Sequence, residues 1–201
     1  RSFSFENIRL TIPPEVFHPG FFFSTKLLLR CLSRFNLANK TFLELGAGSG
    51  LLSVYAAQRE ACVTASDINP FAVAAILKNA QKNRVFIRAI QSDLFAHLPP
   101  QAFDFIIINP PYYKKTPATW KEHAWYCGEN GEFFRGLFAG LETYMHAASV
   151  ILMVVCDGCD RPMIKAFAAA HSFQLDCIVK TRNLLEKNFV YRIQKIHERP
   201  R

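Results

Sequence analysis

Phe42-Leu43-Glu44-Leu45-Gly46-Ala47-Gly48-Ser49-Gly50 is an apolar strand that runs without a spacer into a Gly-X-Gly-X-Gly turn and then into a helix. Glycines in such a turn let backbone come close to a ligand, and open α/β sheets bind ligands outside the carboxyl ends of their strands. A dinucleotide fingerprint needs its third glycine one position later, where Leu51 stands, so the turn does not read as a hydride-transfer site. Glu44, two residues ahead of the first glycine, speaks against a phosphate loop as well. A carboxylate aimed at the turn repels phosphate and suits a cation. The ligand expected at Gly46, Ala47, Gly48 and Gly50 therefore carries positive charge.

Outward from this turn, short β-branched or apolar runs alternate with stretches of helical period, the pattern of repeated βαβ units. Strands are expected over Thr41–Leu45, Cys62–Ser66, Val85–Gln91, Phe103–Asn109 and Ser149–Cys156. Asn69 as cap and Pro70 in the first turn open a helix through Asn79, with Phe71, Val73, Ala74, Ile76, Leu77 and Ala80 on one face. Phe133, Phe134, Leu137, Phe138, Leu141, Tyr144 and Met145 mark a helix over Glu132–His146. Its Phe residues read as core packing. Asp160 and Pro162 open another helix through Ala170.

Phe173–Thr181 and Asn188–Ile196 are only six residues apart, too close for a parallel crossover, so they should pair as a closing antiparallel hairpin. Before Thr41, Phe3–Leu10 reads as a small hairpin strand. Ser24–Phe35 reads as a helix with Leu27, Leu28, Cys31, Leu32 and Phe35 inward. The expected fold is a Rossmann-like α/β domain: a mostly parallel seven-stranded sheet with an antiparallel end and helices on both faces. Residues 1–40 lead into a core over residues 41–201, one domain overall.

Two further strand ends carry acids. Asp67, followed by Ile68, can accept both hydroxyls of a ribose as a pair, and Asp93, followed by Leu94, can accept from the exocyclic amine of an adenine. The fourth strand delivers Asn109-Pro110-Pro111-Tyr112 to the same edge. The prolines have no N–H to donate, so this turn exposes acceptors, the Asn109 side-chain oxygen and the Pro110 carbonyl. Two converging acceptors can hold a planar amino group by both hydrogens, and Tyr112 gives it an aromatic surface.

With these residues in view, the chain resembles the class I S-adenosylmethionine-dependent methyltransferases of the Asn-Pro-Pro-Tyr amino-methylating group. Within that group it is most similar to the release-factor glutamine N5-methyltransferases, and Gly128-Glu129-Asn130-Gly131-Glu132-Phe133-Phe134 resembles the glycine-rich segment those enzymes carry. The resemblance implies S-adenosylmethionine as cofactor, held by Glu44, Gly46, Ala47, Gly48, Gly50, Asp67, Ile68, Asp93, Leu94 and Asn109. It implies in-line methyl transfer to nitrogen with Asn109, Pro110 and Tyr112 at the reacting group. Phe17-His18-Pro19-Gly20-Phe21-Phe22-Phe23-Ser24-Thr25 follows the family's Pro-containing approach to its first helix only loosely. Tyr113, an added aromatic, is similar to enzymes that methylate adenine N6 in tRNA.

The 201 residues are half apolar and one-fifth charged, enough for a single core and unlike a disordered chain. The apolar run Val150–Val155 is far short of a membrane span, and the N-terminus has no apolar stretch of the secretory kind. Six scattered cysteines do not form a disulfide pattern, which fits a reducing, cytoplasmic setting. Cys156-Asp157-Gly158-Cys159 lacks a second ligand pair, so no metal is expected. The formal charge of +8 favours an anionic partner. Lys114, Lys115, Lys180, Arg182, Lys187, Arg192, Lys195, Arg199 and Arg201 could meet phosphates or simply be solvated. Three functions stay open: methylation of a glutamine amide in a protein such as a release factor or ribosomal protein; methylation of an exocyclic amine, adenine N6 or guanine N2, in RNA or DNA; and a non-enzymatic binding module.

Overall fold

A computed structural model describes residues 1–19, 23–182 and 186–196. The chain opens with an antiparallel hairpin, β1 (Ser2–Phe5) and β2 (Ile8–Thr11), and Glu6, at φ 50°, makes the reversal. Helix α1 (Phe23–Leu32) follows, and Phe35 lies beyond it, its ring edge-on to Phe105. Of the approach segment to α1, Gly20, Phe21 and Phe22 lie outside the described residues, as do Arg199 and Arg201.

The remaining elements are β3 (Thr41–Leu45), α2 (Leu51–Ala57), β4 (Cys62–Asp67), α3 (Pro70–Lys82), β5 (Ile87–Gln91), β6 (Phe103–Ile108), α4 (Glu132–Gly140), β7 (Met145–Cys156), α5 (Arg161–Ala170), β8 (Phe173–Arg182) and β9 (Lys187–Lys195). They build a seven-stranded sheet in the order β5-β4-β3-β6-β7-β9-β8. β5 through β7 run parallel, and β9 pairs antiparallel with both β7 and β8, as expected of the closing hairpin. One core packs α1, α2, α3 and the N-terminal hairpin against one face of the sheet; the other packs α4 and α5 against the opposite face.

The strand order decides where a ligand can sit. From β3 the chain steps to β4 and β5, then returns to lay β6 on the other side of β3. The connections leaving β3 and β6 therefore diverge, and a crevice opens at their carboxyl ends, the switch point of an open parallel sheet.

Three expected elements need correction. The helix beginning at Glu132 stops at Gly140, residues 141–144 form a 3-10 turn, and β7 already starts at Met145. Gly140 sits so close to Phe95 that a Cβ there would be 2.5 Å from its ring, and Ser149 bends the strand start by bonding His146 N and the Phe103 carbonyl. Phe134, Leu137, Phe138, Leu141 and Tyr144 face the core even so, because a 3-10 turn keeps nearly the helical period. The strand expected from Val85 begins at Ile87, since α3 runs on to Lys82 and a turn through Arg84 at φ 57° follows.

The buried face of α3 is also rotated from the expected one. Ala72, Ala75, Ile76, Asn79 and Ala80 are inward, whereas Phe71 and Leu77 are about half exposed. The cause is a polar docking surface. Asn79 Oδ1 accepts from Thr11 N at 2.8 Å, while its Nδ2 donates to Thr11 O at 3.1 Å and Ser49 O at 2.9 Å. One turn on, Asn83 exchanges the same pair of bonds with Arg9, at 2.9 and 2.8 Å. Residues i and i+4 of a helix rise about 6 Å, and alternate residues of a strand about 7 Å. The two side chains thus present β2 with the edge of a neighbouring strand. Replacing Asn79 by Ala leaves a buried Ser49 carbonyl and both Thr11 groups without this partner, and is expected to cost about 3 kcal/mol in urea unfolding; a loss below about 0.5 kcal/mol would contradict the docking role.

Candidate active site

At the carboxyl end of β3 the glycine turn folds on its own backbone. Gly46 N and Ala47 N both donate to Ser66 O of β4 at 2.9 Å, and Gly50 N donates to Ala47 O at 2.8 Å. Gly46 and Gly48 have φ of 72° and 54°, and no atom lies within 4 Å of where their Cβ would be. Backbone conformation therefore demands glycine here, and the side left open faces a cavity of about 820 Å³. Every residue expected to bind a ligand except Gly50 lines this cavity; Gly50 packs behind the turn against Ile76.

Glu44 is buried and does not reach freely into the turn. Its Oε2 accepts Ser53 N at 2.7 Å and also the Ser53 hydroxyl, so the carboxyl caps the first turn of α2 while lining the cavity floor. Burial raises its pKa from 4.5 to about 8, against the pull of the Ser53 bonds; the nearby Asp67 adds to the rise. Asp67, at the end of β4, gives one oxygen to Gly48 N at 2.8 Å and the other to Asn69 N at 2.9 Å. Burial pushes its carboxyl up as well, opposed by those N–H bonds and by the His123 imidazole nearby. Asp93 lines the same cavity but is exposed, with Leu94 beside it at φ 47°.

Beyond β6, Asn109, Pro110, Pro111 and Tyr112 line the opposite wall. The Tyr112 ring is 9% exposed, and its hydroxyl donates to Asn109 Oδ1 at 2.6 Å; desolvation pushes this phenol well above its usual range. The Tyr112 and Tyr113 N–H groups both donate to Trp125 O, at 2.9 and 2.8 Å, and Cys127 N returns to Tyr113 O at 2.9 Å. Residues 114–126 are thereby drawn into a closed loop whose Pro117, Trp120, His123 and Tyr126 line the cavity.

Spacing and motif arguments missed this rim. They also missed Phe17, which meets Trp125 edge-on at 5.4 Å, and Phe95, stacked on Tyr144 at 4.5 Å. Thr25 is a further lining residue without a motif to announce it. The available signal was the density of aromatic residues between Tyr112 and Tyr126.

Other singled-out residues have structural explanations. A Cβ on Gly128 would collide with the Glu132 carboxylate, and Gly131, at φ 72°, starts α4; the glycine-rich segment is a tight turn into that helix. Cys156 and Cys159 are buried free thiols, their sulfurs in a 3.7 Å hydrogen bond. Among the described residues no cluster of His, Cys, Asp and Glu could hold a metal, and no helix is long and apolar enough to cross a membrane. Lys114 pairs with Asp160, and Lys115 pairs with Glu122 at 3.4 Å while lying over the Tyr126 ring.

Comparison with known proteins gives this geometry a family. The model of the methyltransferase small domain matches residues 7–125. A protein of Methanocaldococcus jannaschii named "Putative protein N5-glutamine methyltransferase MJ0928" is 41% identical over 108 residues, 53% of this chain and 52% of that one. The chain spans about half the length of the curated relatives it matches. Among solved structures, the T. thermophilus 16S rRNA N2 G1207 methyltransferase in complex with AdoMet and guanosine superposes with a TM-score of 0.71 at 21% identity, over 98% of this chain and 50% of that one. The E. cuniculi Mtq2–Trm112 complex responsible for methylation of the eRF1 termination factor superposes with a TM-score of 0.70 at 17% identity, over 90% and 99%. The fold is that of the class I methyltransferases, as the resemblance of its motifs implied.

Glu44 gives the cavity a signature in stability. Its folded pKa of about 8 lies above the usual 4.5, so the folded protein holds a proton that the unfolded chain has lost between those values. Its stabilising contribution is full below about pH 4.5 and is lost as pH rises towards 8. Urea midpoints measured across that window are expected to fall less steeply for Glu44→Gln, which keeps the bond to Ser53 N; equal slopes would contradict the shift.

Proposed function

We propose, for a chain that belongs to the methyltransferase small domain family, that it transfers the methyl group of S-adenosylmethionine to a planar amino group, the side-chain amide of a protein glutamine as in release factors. The cavity fits such a cofactor on its own chemistry. It is large enough, its glycine side is open, and the carboxyls of buried Glu44 and half-buried Asp67 line it, whose ionised forms would complement a positively charged nucleoside. Asp67 would take the ribose hydroxyls, Asp93 the adenine amine, and Ile68 and Leu94 the faces of the ring. The turn from Gly46 to Gly50 would receive the amino acid end, and Glu44 beneath it would favour the cationic sulfur. When bound, the sulfonium supplies an electrophilic methyl group that already carries its leaving group.

The protein's part is then positioning and electrostatics. Asn109 Oδ1 has a second lone pair beyond the one that Tyr112 occupies, and with the Pro110 carbonyl it would accept both hydrogens of the incoming amino group. Two acceptors pulling on those hydrogens favour pyramidal nitrogen and stabilise the positive charge that builds there. The surplus proton leaves afterwards to solvent.

The observation that carries the glutamine reading is the rim beside Tyr112. Its two lysines, Lys114 and Lys115, are paired with Asp160 and Glu122, and the rim includes Phe17, Pro19, Trp120 and Tyr126. Among the described residues no lysine or arginine lines the cavity, and a largely aromatic rim suits a peptide loop better than a phosphate backbone. The 41% identical archaeal relative supports the same reading by its name. A second reading, an exocyclic amine of a base in RNA, is favoured by Tyr113, 45% exposed and available for stacking, and by the net charge of +8. The 16S rRNA enzyme with this fold supports it.

Incubating the protein with labelled cofactor and either release factor or total RNA separates the two. Label is expected in protein; label found solely in nuclease-sensitive material would overturn the glutamine reading. Asn109→Ala is expected to lower turnover by about 100-fold or more while cofactor affinity stays within a few fold. An active variant would remove Asn109 from the reacting group.

A further inference from the structure

We infer that Thr25, in the first turn of α1, is a positioning residue that holds the Asn109 amide with its oxygen towards the reacting group. The inference deepens the amino-methylating reading and rests on it for its kinetic arm. Tyr112 Oη donates to Asn109 Oδ1 at 2.6 Å, and Asn109 Nδ2 points to Thr25 Oγ1 at 3.4 Å. Thr25, 5% exposed, lines the cavity, and Ser24, next to it in the chain, is 1% exposed, so the start of α1 holds two hydroxyls in nearly dry surroundings. The Ser24 hydroxyl lies beside the same phenol.

An asparagine amide can turn over by half a rotation, exchanging its oxygen for its NH2 at almost no cost in shape. Such an exchange would present donors to an amino group that itself offers only hydrogens, and the site would repel what it is built to hold. Two neighbours decide between the orientations. A phenol is a better donor than an aliphatic hydroxyl and an amide oxygen a better acceptor than an amide nitrogen, so Tyr112 selects the oxygen. Thr25 completes the selection from the opposite side by accepting from Nδ2. Tyr112 alone leaves the amide free to swing about that one bond; with Thr25 the plane is fixed at two points, and the second lone pair of Oδ1 keeps one direction.

The hydroxyl matters here, and not the volume of the side chain. Thr25→Val keeps the shape and removes the acceptor; Thr25→Ser keeps the acceptor and removes a methyl group. Two measurements test the role, with S-adenosylmethionine and whichever of release factor or total RNA the wild-type protein methylates.

In kinetics, Thr25→Val is expected to lower kcat about tenfold with KM for S-adenosylmethionine within about twofold, and Thr25→Ser to recover to within about threefold of wild type. In 15N-correlated NMR, the Asn109 side-chain NH2 pair, assigned by its absence in Asn109→Ala, is expected to move in Thr25→Val and to stay near its wild-type position in Thr25→Ser. A valine variant as active as wild type, a serine variant as impaired as valine, or an NH2 pair unmoved by valine overturns the inference. If the wild-type protein methylates neither probe, the functional reading fails, and the NMR comparison still decides the placement of Thr25.

Discussion

A half-buried carboxylate at the end of β4 holds the site together. Asp67 spends one oxygen on Gly48 N and the other on Asn69 N, tying the glycine turn of one strand to the helix start of the next. Both acceptors lie in a desolvated pocket, so these bonds are stronger than their counterparts in water, and losing them would leave two backbone donors and one acid without compensation. Everything on the ligand side follows from that link. The turn can hold three glycines at positive φ because its donors are engaged from below, by Ser66 O and by Asp67. Glu44 can remain buried because Ser53 satisfies its oxygen, and burial, acting against the Ser53 bonds, favours its protonated form. Burial pushes both Glu44 and Asp67 towards the neutral form, and a cation placed beside them would draw both towards the ionised one.

The residues that do this were legible in the sequence to the extent that they obey local rules. Asn69 and Asp160 cap the helices expected of them, accepting from Phe71 N at 2.9 Å and Met163 N at 3.0 Å. The order of strand, turn and helix announced the parallel sheet, because period and glycine spacing are consequences of backbone geometry that operate over a few residues. The closing hairpin followed from chain length alone. What failed was whatever a distant partner decides. Phe71 and Leu77 look like core residues by period, yet α3 turns them outward so that Asn79 and Asn83 can meet the N-terminal hairpin, some 70 positions away in the chain. Met145 and His146 continue a helical pattern and are strand, Met145 being paired with Phe103.

The site divides along the same line. Acids and glycines at strand ends, and the proline turn at Asn109, sit at positions the fold fixes, so type and spacing located the cavity wall. The rim draws side chains from separate parts of the chain, the segment before α1, residues 114–126 and Phe95, and no spacing connects them. Even the detail of Glu44 shows the limit: a carboxyl two residues before a glycine turn could be placed from sequence, but its bond to Ser53, nine residues on, needs the helix to have formed.

The asparagine pair on α3 has an effect beyond stability. Thr11 is fastened to Asn79, and four residues on, Glu15 O receives Asn69 Nδ2 at 3.0 Å. The chain between these points is a guy rope cut to length, and just past its second peg it hands Val16, Phe17 and Pro19 to the rim. Such a rope tolerates a change of material but not of span. Swapping Phe17 for another side chain alters what the mouth admits, whereas one added residue before Glu15 would slacken the line and turn a different face to the opening.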